Sequence, residues 1–216
     1  MARYLGPKCR YCRIEHQPLG LKGERCTTLK CPLRKQAGGA HTGLPGKDPK
    51  VRAKKPTDYG IQLREKQRLK RIYGMLEKQF HLTFEHAQRM GGVTGENLIK
   101  LLESRLDNVV YRMHFASTRS QARQLVSHRH ILVNGKSVNI PSYAVKPGDV
   151  IEVKEGSKKM TSILDSLGEV SKSGAMPWIS IDVDAQKGTF SAYPRREEVL
   201  DLADIKEQLV VELYSK

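Results

Sequence analysis

The chain has 216 residues, with 38 Lys and Arg against 23 Asp and Glu, for a formal net charge of +15. Hydrophobic residues make up 38% and charged residues 28%, which is thin for one compact core and suits a surface partly covered by a partner. No stretch approaches the ~18 apolar residues of a transmembrane helix, the N-terminus lacks an apolar signal-peptide core, and the isoelectric point is near 9.8. These features argue against membrane proteins and secreted disulfide scaffolds, and lead to the expectation of a cytoplasmic protein with a polyanionic partner, nucleic acid first.

The charge is front-loaded. Residues 1–75 hold nineteen bases against five acids, Glu15, Glu24, Asp48, Asp58 and Glu65, a local +14. The same third holds all four cysteines, spaced Cys9-x2-Cys12 and Cys26-x4-Cys31 with thirteen residues between the pairs. Two close pairs joined by a short loop suit a tetrahedral thiolate site, because each pair can chelate from one tight turn. Lys8, Arg10, Arg13, Lys22, Arg25 and Lys30 surround them and favour thiolate over thiol. Zinc is expected on frequency, with an iron–sulfur cluster as the alternative. A catalytic zinc keeps an open position and usually takes His or carboxylate, and the His-x-Glu element of nucleobase deaminases is absent, so the expected role is structural.

Past Cys31 the run of Gly38, Gly39, Gly43, Pro45, Gly46 and Pro49 reads as an extended linker, made adhesive by Lys47, Lys50, Arg52, Lys54 and Lys55. Asp58 is expected to cap a helix whose apolar stripe is Leu69, Ile72, Tyr73 and Leu76, with Arg64, Lys66, Arg68, Lys70 and Arg71 on its remaining surface. A short helix over 84–90 stops at Gly91-Gly92. A third begins near Thr94 and runs through Leu98, Leu101, Leu102, Leu106, Val109, Val110 and Met113.

Ser117 or Thr118 can cap a short helix with Ala122, Leu125 and Val126 inward. Ile131-Leu132-Val133, Asn134-Gly135, Lys136-Ser137-Val138 is a two-residue hairpin signal of the strongest kind. Residues 141–145 and 150–153 read as further strands joined by the Pro147-Gly148-Asp149 turn. The residues not needed inside this unit are Arg105, Arg112, Arg119, Gln121, Arg123, Gln124, His128, Arg129, His130 and Lys136, candidates for contact with nucleic acid together with Lys47, Lys50, Arg52, Lys54, Lys55, Arg64, Lys66, Arg68, Lys70 and Arg71. From residue 149 onward thirteen acids oppose nine bases. Ile179, Ile181 and Val183 alternate with polar residues as in a half-exposed strand, with a partner across Gln186-Lys187-Gly188. The apolar 209–214 tail should dock on the helical part.

Ser104-Arg105-Leu106-Asp107-Asn108-Val109-Val110-Tyr111-Arg112, then Ser120-Gln121-Ala122-Arg123-Gln124-Leu125-Val126, then His130-Ile131-Leu132-Val133-Asn134-Gly135-Lys136 resemble a family of bacterial small-subunit ribosomal proteins, the one numbered four. The resemblance extends to 59–73, Gly92-Val93-Thr94-Gly95, 138–143 and 207–215, essentially the whole chain, and the cysteines resemble those of the family's metal-binding subset. The linker departs from the family's Pro-Pro-Gly-x-His-Gly run. The resemblance implies a primary binder of small-subunit ribosomal RNA that nucleates assembly. It also implies contacts with small-subunit proteins five and twelve, and an effect on translational accuracy at the contact with five.

Taken together the reading is an α+β chain: a cysteine metal knuckle with basic linker (1–45), a helical domain (46–103, completed by 194–216), and an RNA-binding helix–helix–hairpin module with flanking antiparallel strands (104–193). An enzyme is not expected. No nucleophile–base pair, phosphate cradle or paired carboxylates can be assembled, and Asp107 reads as a helix or ion-pair residue. The alternatives weighed are the RNA-binding module of an RNA-modifying enzyme and a translational repressor. Neither a membrane nor a small-molecule substrate is expected.

Overall fold

α2 (Asp58–Ile72) turns only four residues inward, Gln62, Lys66, Leu69 and Ile72, and half of that inner stripe is polar. The structure is a computed structural model that describes residues 3–33, 45, 55–168 and 176–215. It divides by packing into one unit of Met1–Leu82 with Asp204–Lys216 and a second of Thr83–Ala203.

In the first unit, α1 (Cys9–Glu15) carries the first cysteine pair. Thr57, not the expected Asp58, caps α2: its Oγ1 accepts from the Gly60 amide at 3.1 Å, and Asp58 stands in the first turn beside the positive end of the helix dipole. α2 packs along α8 (Glu207–Tyr214), the C-terminal tail. The polar half of the inner stripe is satisfied by acids: Gln62 donates to Glu212 at 2.8 Å and Lys66 to Glu77 at 2.6 Å. Lys66, expected on the outer surface, is therefore buried and paired; its methylene stem extends the apolar stripe while its ammonium group meets a carboxylate. α3 (Glu77–Arg89) begins in this unit and ends in the second. It is longer than the 84–90 expected, because Phe80, Phe84 and Ala87 at i, i+4 and i+7 form a fully buried stripe.

In the second unit, the single helix expected from Thr94 to Met113 is broken into α4 (Thr94–Glu103) and α5 (Leu106–Arg112). Arg105 is extended, at φ −67° and ψ 136°, and bridges Ala144. The orphan amides of the α5 first turn are taken by a loop: Leu106 N donates to Tyr143 O at 2.8 Å and Asp107 N to Pro141 O at 3.0 Å. Residues 141–145, expected as a strand, serve as this capping loop instead.

α6 (Arg119–Ser127) is capped by Thr118, whose Oγ1 accepts from Gln121 N at 3.2 Å, and packs on α5. β1 (Ile131–Val133) and β2 (Lys136–Ser137) form the expected hairpin. Asn134 and Gly135 both take left-handed φ, 49° and 75°, as a type I′ turn requires. With β3 (Val150–Val153), β4 (Ile179–Asp182) and β5 (Lys187–Phe190) they make one antiparallel sheet in the order β2-β1-β3-β5-β4. The β4–β5 turn falls earlier than expected, over 183–186, where Asp182 Oδ1 accepts from Ala185 N at 3.0 Å. Gly188 sits within β5 because a Cβ there would come within 2.9 Å of Met113 Sδ. α7 (Thr161–Leu167) lies between β3 and β4 in the chain. Leu98, Leu102, Leu106, Val109, Val110, Met113, Val126, Ile131, Ile151 and Phe190 are all but excluded from solvent and form the core.

Candidate nucleic-acid interface

Three of the arginines expected outside are inside. Arg105 makes a fork with Asp107, Nε to Oδ1 at 3.1 Å and Nη2 to Oδ2 at 2.8 Å, and Arg123 approaches the same carboxylate at 3.8 Å. Arg112 holds both Glu103 oxygens, at 3.0 and 2.9 Å, and reaches Asp201 at 2.9 Å. Arg105, Arg112 and Arg123 are buried. The physical reason is that the sharp α4–α5 break and the α5–α6 packing leave no room for unpaired carboxylates, so guanidinium forks neutralise Asp107 and Glu103 in place. Asp107 is thus an ion-pair residue, as read from sequence. Arg119 is half-buried, bonded to Asn108 Oδ1 at 2.8 Å and Asp201 at 3.0 Å, and stacked 4.5 Å from the Tyr111 ring centroid. Burial alone would raise the Asp201 pKa, but Arg112 and Arg119 outweigh it and hold the carboxyl below its ordinary range. Gln121 is turned to the chain, its Oε1 accepting from Ser117 N and Oγ at 3.0 and 2.8 Å.

What this leaves on the surface of the second unit is the C-terminal end of α6 and the strands beside it. Gln124, His128, Arg129 and Lys136 are exposed. Arg129 is held at φ 62°, past the end of α6, where a cation is favoured by the helix dipole. The His128 and His130 rings lie 6.1 Å apart and 25° from parallel, and His130 Nδ1 is fixed 2.8 Å from Ser157 Oγ. Strand pairing adds a cation that the sequence reading missed: exposed Lys154 donates its amide to His130 O at 2.9 Å, following the Ile131–Val153 register. Nothing in the local pattern marks Lys154, since only the β1–β3 pairing brings it beside residues 128–130.

The α2 bases have a different surrounding. Arg71 pairs with Glu15 and lies 4.6 Å over the Tyr11 ring; Arg64 is 3.7 Å from the same carboxylate; Arg68 donates to Gln17 and to Glu65 at 3.0 Å. Burial pushes the Glu15 carboxyl up, with Arg71 and Arg64 opposing it. Lys70 joins Lys66 on Glu77, at 2.7 Å. Burial would raise Glu77, but these two ammonium groups and the Tyr214 hydroxyl hold it down at about 2. Of this set Arg64 keeps half its side chain in solvent, and Lys55 is exposed. Lys47, Lys50, Arg52 and Lys54 lie outside the described residues.

Cys9 and Cys12 lie one helical turn apart in α1, with Cys12 and Cys31 buried and Cys9 and Cys26 half-buried. Burial above all, with smaller contributions from the other cysteines, pushes the Cys12 thiol up. Four thiols in two close pairs have the donor chemistry of a tetrahedral site. Among the described residues no group of three or more His, Cys, Asp and Glu is already in a ligating arrangement.

The family profile "Ribosomal protein S4/S9 N-terminal domain" matches residues 3–103 and the profile "S4 domain" matches residues 104–151. Proteins named small ribosomal subunit protein uS4 align over the full length of both chains: 54% identical in Pelobacter propionicus, 54% in Syntrophotalea carbinolica and 55% in Thermoanaerobacter sp.. The chain belongs to the uS4 family. In this uS4 chain the two profiles meet between residues 103 and 104, at the α4–α5 break, whereas the packing units divide earlier, between 82 and 83. The exposed end of α6 and the β1–β2 hairpin lie inside the S4-domain match. No helix among the described residues of this uS4 protein is long and apolar enough to cross a membrane.

Proposed function

We propose that this chain is a structural component of the small ribosomal subunit that binds small-subunit ribosomal RNA early in assembly, working in the cytoplasmic ribosome. Its uS4 membership over the full length carries this reading, and the exposed His128, Arg129 and Lys154 with the half-buried His130 at the end of α6 supply the surface. Arg129 and Lys154 would engage phosphates, while the stacked imidazoles would hydrogen-bond or stack at junction bases. The uS4 family is one of ribosomal structural proteins, and catalysis forms no part of the proposal. Contacts with small-subunit proteins numbered five and twelve, with an influence on translational accuracy at the first, complete it.

The four cysteines are the second part. Cys9, Cys12, Cys26 and Cys31 would hold a zinc ion, or alternatively an iron–sulfur cluster, and the metal would supply folding energy to a segment poor in apolar residues. Its support is the paired spacing Cys9-x2-Cys12 and Cys26-x4-Cys31, with Cys12 and Cys31 buried.

The deciding experiment is binding of the full chain to a small-subunit ribosomal RNA junction fragment and to an equal length of unrelated structured RNA, across a salt series. Selective binding is expected, with log affinity falling by roughly 0.7–0.9 per unit log salt for each phosphate neutralised. Equal binding to both RNAs at every salt would overturn the reading.

A further inference from the structure

Residues 136–147 contain two lysines and no acid, and they put two large apolar side chains into solvent: Ile140 is 53% and Tyr143 38% exposed. Lone exposed apolar residues on mobile loops call for no explanation. This loop is pinned. Pro141 and Val145 are buried, the Pro141 and Tyr143 carbonyls cap α5, Val145 N donates to Ser104 O at 2.8 Å, and Tyr143 N closes a turn onto Ile140 O at 3.0 Å. Both flanks are tied as well. Asn134 in the hairpin turn donates from Nδ2 to Asp149 Oδ1 at 2.8 Å, and Asp149 Oδ2 accepts from Lys146 N at 2.8 Å. Lys136 and Lys146, both exposed, therefore leave the loop from held positions, within a few residues of Ile140 and Tyr143.

Side chains carried on a pinned backbone cost less entropy to engage than those on a mobile loop. Set between two lysines, with the Asp149 carboxylate committed to the Lys146 amide and Asn134, the Ile140–Tyr143 turn favours a ligand that offers a flat apolar face on an anionic backbone. An unpaired nucleotide has that chemistry, whereas an acidic protein segment would meet the lysines but leave the ring without a stacking partner. Resting on the RNA-binding reading above, we infer that Ile140 and Tyr143, flanked by Lys136 and Lys146, form a second RNA subsite that stacks an unpaired base. It is separate from the 128–130 surface: β1 runs between the His130 end and the Asn134–Gly135 turn.

The test uses the full chain and a junction fragment carrying photoreactive uridines at its unpaired positions. Crosslinks are expected at Tyr143 or Ile140. Tyr143→Ala should weaken junction binding about tenfold with an unchanged salt slope, because stacking releases no counterions, while Tyr143→Phe should bind like the parent. Lys136→Gln should lower the salt slope instead. Parental binding by Tyr143→Ala, with crosslinks confined to residues 124–130 and 154, would overturn the subsite while leaving the RNA-binding reading intact. Crosslinking in assembled small subunits that joins Tyr143 to a protein in place of RNA would overturn it in favour of a protein contact. A parent chain that does not prefer the junction would overturn both.

Discussion

Arg112 grips Glu103 across nine residues with two guanidinium bonds of 3.0 and 2.9 Å, and the two side chains keep only 3% and 0% of their surface in solvent. The same carboxylate accepts from Asn108 Nδ2 at 2.7 Å, and Arg112 also reaches Asp201, so one buried cation ties α4, α5 and the segment before α8. Removing one partner leaves an uncompensated charge without water. Arg112→Ala or Glu103→Ala should destabilise by about 3–5 kcal/mol, and a double change to Met and Leu by much less. Urea unfolding monitored by circular dichroism checks this. A loss of junction affinity by Arg112→Ala in its still-folded fraction would return Arg112 to the RNA-contacting set.

Arg129 and Lys154 should behave in the opposite way. Arg129→Gln and Lys154→Gln are expected to leave the unfolding midpoint unchanged while each lowers the salt slope of junction binding by about 0.7–0.9. Fluorescence anisotropy at several salt concentrations separates this from a merely solvated side chain, whose removal would leave the slope as it was.

Stability should fall in two stages as the solution is acidified. Burial, reinforced by Arg112, lowers the His114 pKa from its ordinary 6.5. The unfolded chain then takes up that proton first, and stability starts to drop below about pH 6.5. Glu77, held at about 2 against an ordinary 4.5, contributes stability that is full above about pH 4.5 and is lost as the pH falls toward 2. Thermal unfolding midpoints from pH 2 to 8 should show both declines. His114→Asn, chosen because His114 sits at φ 57° where Asn is tolerated, should remove the upper decline, and Glu77→Gln should reduce the lower one. Asp201 keeps part of the lower stage in that variant.

Metal content should follow the cysteines. Purified chain is expected to carry about one zinc per chain, by elemental analysis, and Cys12→Ser or Cys31→Ser should lose it together with amide protection of α1. Full protection of α1 in metal-free protein would show that the module folds without a metal.

Gly135 should tolerate no side chain cheaply. With φ at 75°, Gly135→Ala should cost about 1–2 kcal/mol, read as a lowered denaturation midpoint, and it would shift the β1–β2 hairpin and Lys136 with it.

Patterns that one segment can satisfy alone were legible in the sequence. The Asn134–Gly135 hairpin, a cap at Ser117 or Thr118 (Thr118 in the structure) and the start of α4 at Thr94 depend on backbone chemistry within a few residues, and each falls where local reasoning puts it. The uS4 pattern and the excess of positive charge near the N-terminus are likewise properties of the chain as written. Tertiary structure alone decided which cations are free. Arg112, Arg123 and Lys66 look, from charge alone, like Arg129 and Lys136, but the acids that neutralise them are set opposite by helix packing, while Arg105 folds back on Asp107 two residues along at the α4–α5 break. The helix pattern from Leu98 to Met113 is continuous, and it breaks at Arg105 only because a loop some forty residues later supplies carbonyls to cap α5. Lys154 joins His128 and His130 through strand register, and Ile140 and Tyr143 become a rigid surface through that same loop. A one-dimensional pattern records what each residue is; Coulomb pairing, burial and register depend on what folding brings within a few ångströms of it.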